Sequence, residues 1–128
     1  MERRLVRAIS PQAATVGYSR AVRDGRHVHV AGTVAIYPEG VETPPDAYSQ
    51  AKRCLEIVVA ALAEVDAEPA HVVRTRVFLV RAGDWRDVGR AHGEVFSGVL
   101  PATSFVVVSA LLDPSWLVEI EAEALVPE

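Results

Sequence analysis

One cysteine, Cys54, stands in the 128 residues, so no intramolecular disulfide is available to this chain. Aromatic residues make up only 6%, and no Lys/Arg cluster stands beside them. With a formal net charge of −4, that argues against a nucleic-acid groove. No uninterrupted apolar run is long enough to span a bilayer, and the start "MERRLVRAIS" lacks the apolar core of a signal peptide. Internal repeats, low-complexity tracts and interdomain linkers are missing too. What remains is ordinary globular balance, 50% hydrophobic and 23% charged, in a length that suits one domain over residues 1–128. The expectation is a soluble, cytoplasmic protein with no membrane or nucleic-acid partner.

Periodicity predicts the elements. "RRLVRAIS" reads as a first strand ending at Ser10-Pro11. Two alternating runs flank Asp24-Gly25, a hairpin turn signal, with Val28 and Val30 on one face and His27 and His29 on the other. "IYPEGVETPP" is a loop. Asp46 reads as the N-cap of a helix whose buried stripe is Ala51, Leu55, Val58, Val59 and Leu62. In "HVVRTRVFLV", Val73, Thr75, Val77 and Leu79 should face one way and Arg74, Arg76 and Phe78 the other. A second helix follows, capped by Asp84, with Trp85, Val88, His92, Val95 and Phe96 on one side. Gly89 and Gly93 within it suggest close backbone packing. Two strands split by Asp113-Pro114 complete a β-β-β-α-β-α-β-β order.

Two helices cover only one face of such a sheet, yet "SFVVVSALL" is apolar on both faces, as a doubly buried strand would be. A homo-oligomer with sheets packed on one another is the expected remedy. In the last strand Glu119, Glu121 and Glu123 alternate with Val118, Ile120 and Ala122, so the three carboxylates line one face. Arg74 and Arg76 on a neighbouring strand could balance most of that row, and Glu119, nearest the turn, is the candidate worker. Arg76 could instead meet a substrate, and Arg20 presents a weaker version of the same choice. His92 is either a core or interface histidine or a proton-transfer group. His27 and His29 lack a third ligand nearby, so no metal site and no cofactor are expected. Cys54 should be buried and inert, and His71 a surface residue.

The series "GYSRAV", "HVHVAGT", Gln50 at the start of the long helix, "VVRTRVFLV", "PATS" and "LVEIEAEA" resembles the RidA/YjgF family. The matching stretches run from Gly17 to Ala124. The resemblance implies a chorismate-mutase-like α+β fold: a six-stranded mixed sheet with two helices on one face, assembled as a homotrimer with a central barrel and clefts between subunits. It further implies a hydrolase acting on a small imine, enamine or amide, since the family's best-known members turn reactive enamines and imines such as 2-aminoacrylate into a 2-keto acid and ammonia. Carried over by position, Glu119 would handle water, Tyr18 would help close the pocket, and Ala31 would offer only backbone. Thr103 falls where the family has an arginine that grips a substrate carboxylate, and Gly89 falls where deaminating members carry an asparagine. Arg76 and His92 join the candidate substrate-binding residues. A substrate without a carboxylate would suit Thr103. The competing reading is a trimer that binds a metabolite, or docks on an enzyme, without catalysis. Ribonuclease activity has also been attached to the family, and the acidic balance speaks against it here.

Overall fold

Alternation of apolar and polar residues builds a single sheet, seen in the computed structural model, which describes residues 2–10 and 12–128. Its strands are β1 (Arg3–Val6), β2 (Ala21–Asp24), β3 (His27–Thr33), β4 (Val72–Leu79), β5 (Ala102–Val107) and β6 (Val118–Leu125). They lie in the order β1-β2-β3-β6-β4-β5, antiparallel throughout except for the parallel β4–β5 pair. The helices are a single turn, α1 (Ala13–Val16), then α2 (Ala47–Glu64) and α3 (Trp85–Phe96). The fold is thus α+β with a six-stranded mixed sheet, as expected, with one additional helical turn. The expected strand end at Ser10-Pro11 lies partly outside the described residues; β1 itself stops at Val6.

The hairpin forms one residue later than its sequence signal suggests. Asp24 pairs with His27, so Gly25 and Arg26 make the turn. Gly25 takes φ 63°, the left-handed region that glycine enters without steric cost. Val28 and Val30 point inward and the two histidines outward.

One face of the sheet carries α2 and α3. Val28, Val77, Leu79, Val118 and Ile120 meet Leu55, Val58, Leu62, Val88 and Phe96 in one continuous core. Each fully buried Val, Leu or Ile contributes roughly 1.5–3 kcal/mol. Asp46 caps α2 by accepting from the Ser49 N–H at 2.9 Å. Cys54 is fully buried on α2, its Sγ 3.9 Å from the Val118 carbonyl. Burial, with a contribution from the Glu119 charge, pushes its thiol far up.

Gln50, buried in the first turn of α2, ties two loops together. Its Nε2 donates to the carbonyls of Pro44 at 2.8 Å and Ser115 at 2.9 Å, and its Oε1 accepts from the Leu117 N–H at 2.9 Å. The loop before α2 and the turn before β6 are held at fixed positions by this one side chain.

Several expectations are corrected. Val73 does not share the Thr75 face: a register shift between Val72 and Arg74 against β6 turns it outward, 50% exposed. Trp85 lies outside the α3 core stripe, 51% exposed, with the Arg86 guanidinium over its ring. Asp84 makes no capping bond; it accepts from Arg81 Nε at 3.0 Å instead. The glycines of α3 are not there for close packing, since a Cβ on Gly89 or Gly93 would meet no atom within 4 Å. His71, by contrast, is a partly covered surface residue, its Nδ1 accepting from the Glu68 N–H at 3.1 Å. The run "SFVVVSALL" is a strand only to Val107, and β5 is an edge that leaves Phe105, Val106 and Val107 partly exposed.

Candidate functional site

Between Val30 and Thr33 the ladder of β3 against β6 slips, and Ala31 and Gly32 occupy the slip. Arg20, just before β2, fastens this irregular backbone. Its Nη1 donates to the Gly32 carbonyl at 2.7 Å and to Thr33 Oγ1 at 2.8 Å. The Thr33 hydroxyl in turn donates to the Ala31 carbonyl at 2.7 Å, and the Ala31 N–H donates to the Arg20 carbonyl at 2.9 Å. Both backbone groups of Ala31 are therefore engaged within the chain, and neither stands free for a ligand. Tyr18 lies beside this clamp, its ring centroid 5.8 Å from the Arg20 guanidinium carbon.

Glu119 enters the same corner from β6. Its neighbours Val118 and Ile120 are buried against the helices, so its own side chain projects from the opposite face. The carboxylate lies against Gly32: a Cβ built on that glycine would sit 2.6 Å from Oε2 and 2.9 Å from the carboxyl carbon. Only a residue without a side chain lets the acid lie this close to the strand. Burial raises the affinity of Glu119 for its proton; the Glu121 charge adds to this, and Arg20 opposes it. Across β4 its partner in register is Phe78, which carries no charge.

The other two acids of the row are matched. Glu121 stands opposite Arg76, with Oε1 3.1 Å from Nη1. Glu123 stands opposite Arg74 and His29, with His29 Nδ1 3.9 Å from its Oε1. Among the described residues, Glu119 alone of the three has no cationic group within 4 Å. These part-exposed pairs contribute at most about 1 kcal/mol each, enough to relieve repulsion along the row. Arg76 thus pairs within the sheet.

His92 and Thr103 lie elsewhere. Thr103 is level with Thr75 on the parallel β4–β5 pair. Thr75 Oγ1 is 2.7 Å from Thr103 Oγ1 and 2.8 Å from His92 Nε2, on the helix-covered side. The His92 ring packs against Phe96, centroids 4.7 Å apart, and burial lowers its proton affinity. Thr103 and Glu119 are therefore separated by one intervening strand (two strand spacings), three residues along the sheet and its thickness, roughly 14 Å between their backbones by strand geometry.

The candidate residues thus form two groups within one chain. Tyr18, Ala31 and Glu119 gather at the β3 slip together with Arg20; His92 and Thr103 gather at the β5 edge; Arg76 lies between them and belongs to neither. Sequence reasoning missed Gly32 and Thr75. The first carried a readable signal, a lone glycine inside a strand pattern. The second was the one polar residue on an otherwise apolar strand face. No group of three His, Cys, Asp or Glu side chains that could hold a metal occurs among the described residues. No helix among them is long and apolar enough to cross a membrane.

The α+β fold with its six-stranded mixed sheet matches that of solved YjgF-family proteins. A family model described as Endoribonuclease L-PSP matches residues 8–126. The chain belongs to this family, the YjgF/RidA proteins. It is 32% identical over 124 residues to the mouse (Mus musculus) 2-iminobutanoate/2-iminopropanoate deaminase, covering 96% of this chain and 91% of that one. A solved member of the YjgF/YER057c/UK114 family from Mycobacterium tuberculosis is 41% identical, with a TM-score of 0.89 over 98% of this chain and 100% of its own. Escherichia coli TdcF, solved with bound serine, is 26% identical, with a TM-score of 0.81 over 97% of this chain and 94% of its own.

Proposed function

We propose that this chain is a cytoplasmic hydrolase of small imines, enamines or amides, working at clefts between the subunits of a homotrimer. The observation that carries the reading is Glu119: a half-buried carboxylate without an ion-pair partner, lodged on Gly32, its proton affinity raised by burial. Such a group can accept a proton at neutral pH and return it within the same turnover.

The chemistry follows. An enamine first tautomerises to the imine. Glu119 takes a proton from water as the water oxygen bonds to the C=N carbon, and passes that proton to the nitrogen, which leaves Glu119 ionised and the carbinolamine neutral. In the carbinolamine Glu119 takes the hydroxyl proton as the carbonyl forms and delivers it to the nitrogen as the C–N bond breaks, so that ammonia leaves and the carboxylate is regenerated. One water is consumed and one ammonia released. Tyr18 walls the corner, and Arg20 keeps the slip of β3 in place. Naming of the mouse relative as an imine deaminase supports the same reaction class.

Two features support the oligomer. The apolar side chains of Phe105, Val106 and Val107 on the β5 edge need cover, and the Glu119 and Thr103 groups would complete one cleft if contributed by adjacent copies. The test is incubation with freshly generated 2-iminopropanoate and with neutral imines, following semicarbazone formation or ammonia release. Glu119→Gln is expected to lower turnover by roughly 100-fold or more. Equal rates for the two proteins would end the mechanism. Saturable thermal stabilisation by small metabolites without turnover would favour the non-catalytic trimer.

A further inference from the structure

Thr75 is fully buried, yet it carries a hydroxyl, and that hydroxyl connects a histidine to a threonine open to solvent. Thr103 Oγ1 also lies 3.2 Å from the Pro101 carbonyl, a long contact. Each hydroxyl has one proton to give, so the chain runs in one of two senses. In the first, His92 Nε2–H donates to Thr75, Thr75 donates to Thr103, and Thr103 donates to Pro101. In the second, Thr103 donates to Thr75, Thr75 donates to Nε2, and the ring proton resides on Nδ1.

Nδ1 makes no hydrogen bond within the described residues, and no unpartnered side-chain nitrogen or oxygen among them is buried, so this nitrogen reaches solvent. Either tautomer of the neutral ring is therefore accessible. In reversing the chain, Nδ1 takes one proton from solvent while Nε2 passes its own to Thr75, Thr75 its own to Thr103, and Thr103 its own to solvent, so every member stays uncharged. In the first sense the Thr103 proton is held only by the long Pro101 contact, and a better acceptor can take it. In the second, Thr103 has lone pairs to offer a donor.

No cation accompanies this hydroxyl on its side of the sheet from β4. Arg74 and Arg76 project from the other face, and Arg76 is held by Glu121. Apolar rings flank it instead: Phe105 follows on the same strand face, 6.5 Å from the His92 ring, with Phe96 beyond. A carboxylate here would meet one neutral donor and no cation, whereas a neutral polar group is matched by the single hydrogen bond that Thr103 can give or take.

We propose that Thr103 is a binding point for an uncharged polar group, such as a carboxamide, carbonyl or neutral imine, and that Thr75 and His92 let it act as donor or acceptor. This deepens the hydrolase reading and rests on it for the site's location. It makes the substrate one with a neutral group where an imino acid has its carboxylate. Thr103 touches the ligand; Thr75 and His92 are positioning residues.

The test uses a matched pair, pyruvamide and pyruvate, titrated into the assembled protein by calorimetry. Wild type is expected to bind pyruvamide roughly tenfold more tightly than pyruvate. Thr75→Val, which keeps the shape and deletes the hydroxyl, should erase that preference, and Thr75→Ser should restore it; circular dichroism checks that both fold. Thr103→Arg should reverse the preference toward pyruvate. Equal affinity for the two probes, tighter binding of pyruvate, binding of neither, or an unchanged preference in Thr75→Val each overturns the inference. Glu119-dependent hydrolysis with no amide preference would overturn this inference alone. An amide preference lost in Thr75→Val, without Glu119-dependent turnover, would remove the hydrolase and support the binding point.

Discussion

The Glu119 carboxylate occupies the space that a side chain on Gly32 would need, Oε2 standing 2.6 Å from the position of a Cβ there. Gly32 does not have a left-handed φ, so an alanine is conformationally acceptable at that position. The clash falls on the far end of a flexible side chain, which can swing away. Gly32→Ala is therefore expected to change stability by less than about 1 kcal/mol while displacing the carboxylate. A thermal melt near wild type combined with a loss of turnover approaching that of Glu119→Gln would bear this out. Wild-type turnover in the alanine variant would show that the close approach has no role in the chemistry.

Burial raises the Glu119 proton affinity, and this sets the sign of a pH effect. The native state then holds its proton more tightly than the unfolded chain. Stability falls as pH rises through the window between the unfolded and folded values, and the cost is complete above the folded value. Glu119→Gln removes that cost. Its melting temperature should exceed that of wild type at pH 7 to 8, with the gap closing as pH falls toward the ordinary glutamate value of about 4.3. A gap that widens toward acid pH would reverse the assignment.

Arg76 and Glu121 pair across β4 and β6 with side chains 42% and 37% exposed. Removing one member of a pair this wet should cost about 1 kcal/mol or less. Arg76→Gln is accordingly expected to melt close to wild type and to retain turnover. A large loss of turnover at unchanged substrate affinity would place Arg76 in the chemistry.

Gln50 is another matter, because its three hydrogen bonds are buried. Gln50→Leu leaves two carbonyls and one N–H without partners, at about 1–3 kcal/mol each. A destabilisation of roughly 3 kcal/mol or more in urea denaturation is expected, with faster amide exchange at Leu117. Unchanged stability would mean that these groups find other partners when the side chain is lost.

How much of this was readable from residues alone depended on the range of the interaction involved. The Asp46 cap and the inward valines of β3 follow from local chemistry and period, and both were legible. The Val73 error arises because a bulge is a property of two paired strands, and nothing in "HVVRT" announces the slip against β6. Gly25 was recognised as a turn residue, but the frame of the turn was set by the Asp24–His27 pairing. The acid row divided as its neighbours dictated: Glu121 and Glu123 found Arg76, Arg74 and His29 in register, while Glu119 met Phe78. The division of the candidates into two groups was hidden, because a one-dimensional reading places Thr103 and Glu119 in adjoining strands of the chain. In the sheet β4 lies between β5 and β6.

Cys54 turns the α2–sheet interface into its own reporter. Its sulfur is sealed beneath the helix and its proton is held tightly, so a maleimide has no thiolate to attack while the core is shut. Labelling of the native protein can proceed only through openings that part α2 from β6, and the rate at which label accumulates becomes a clock for those openings, read at one atom without any engineered probe.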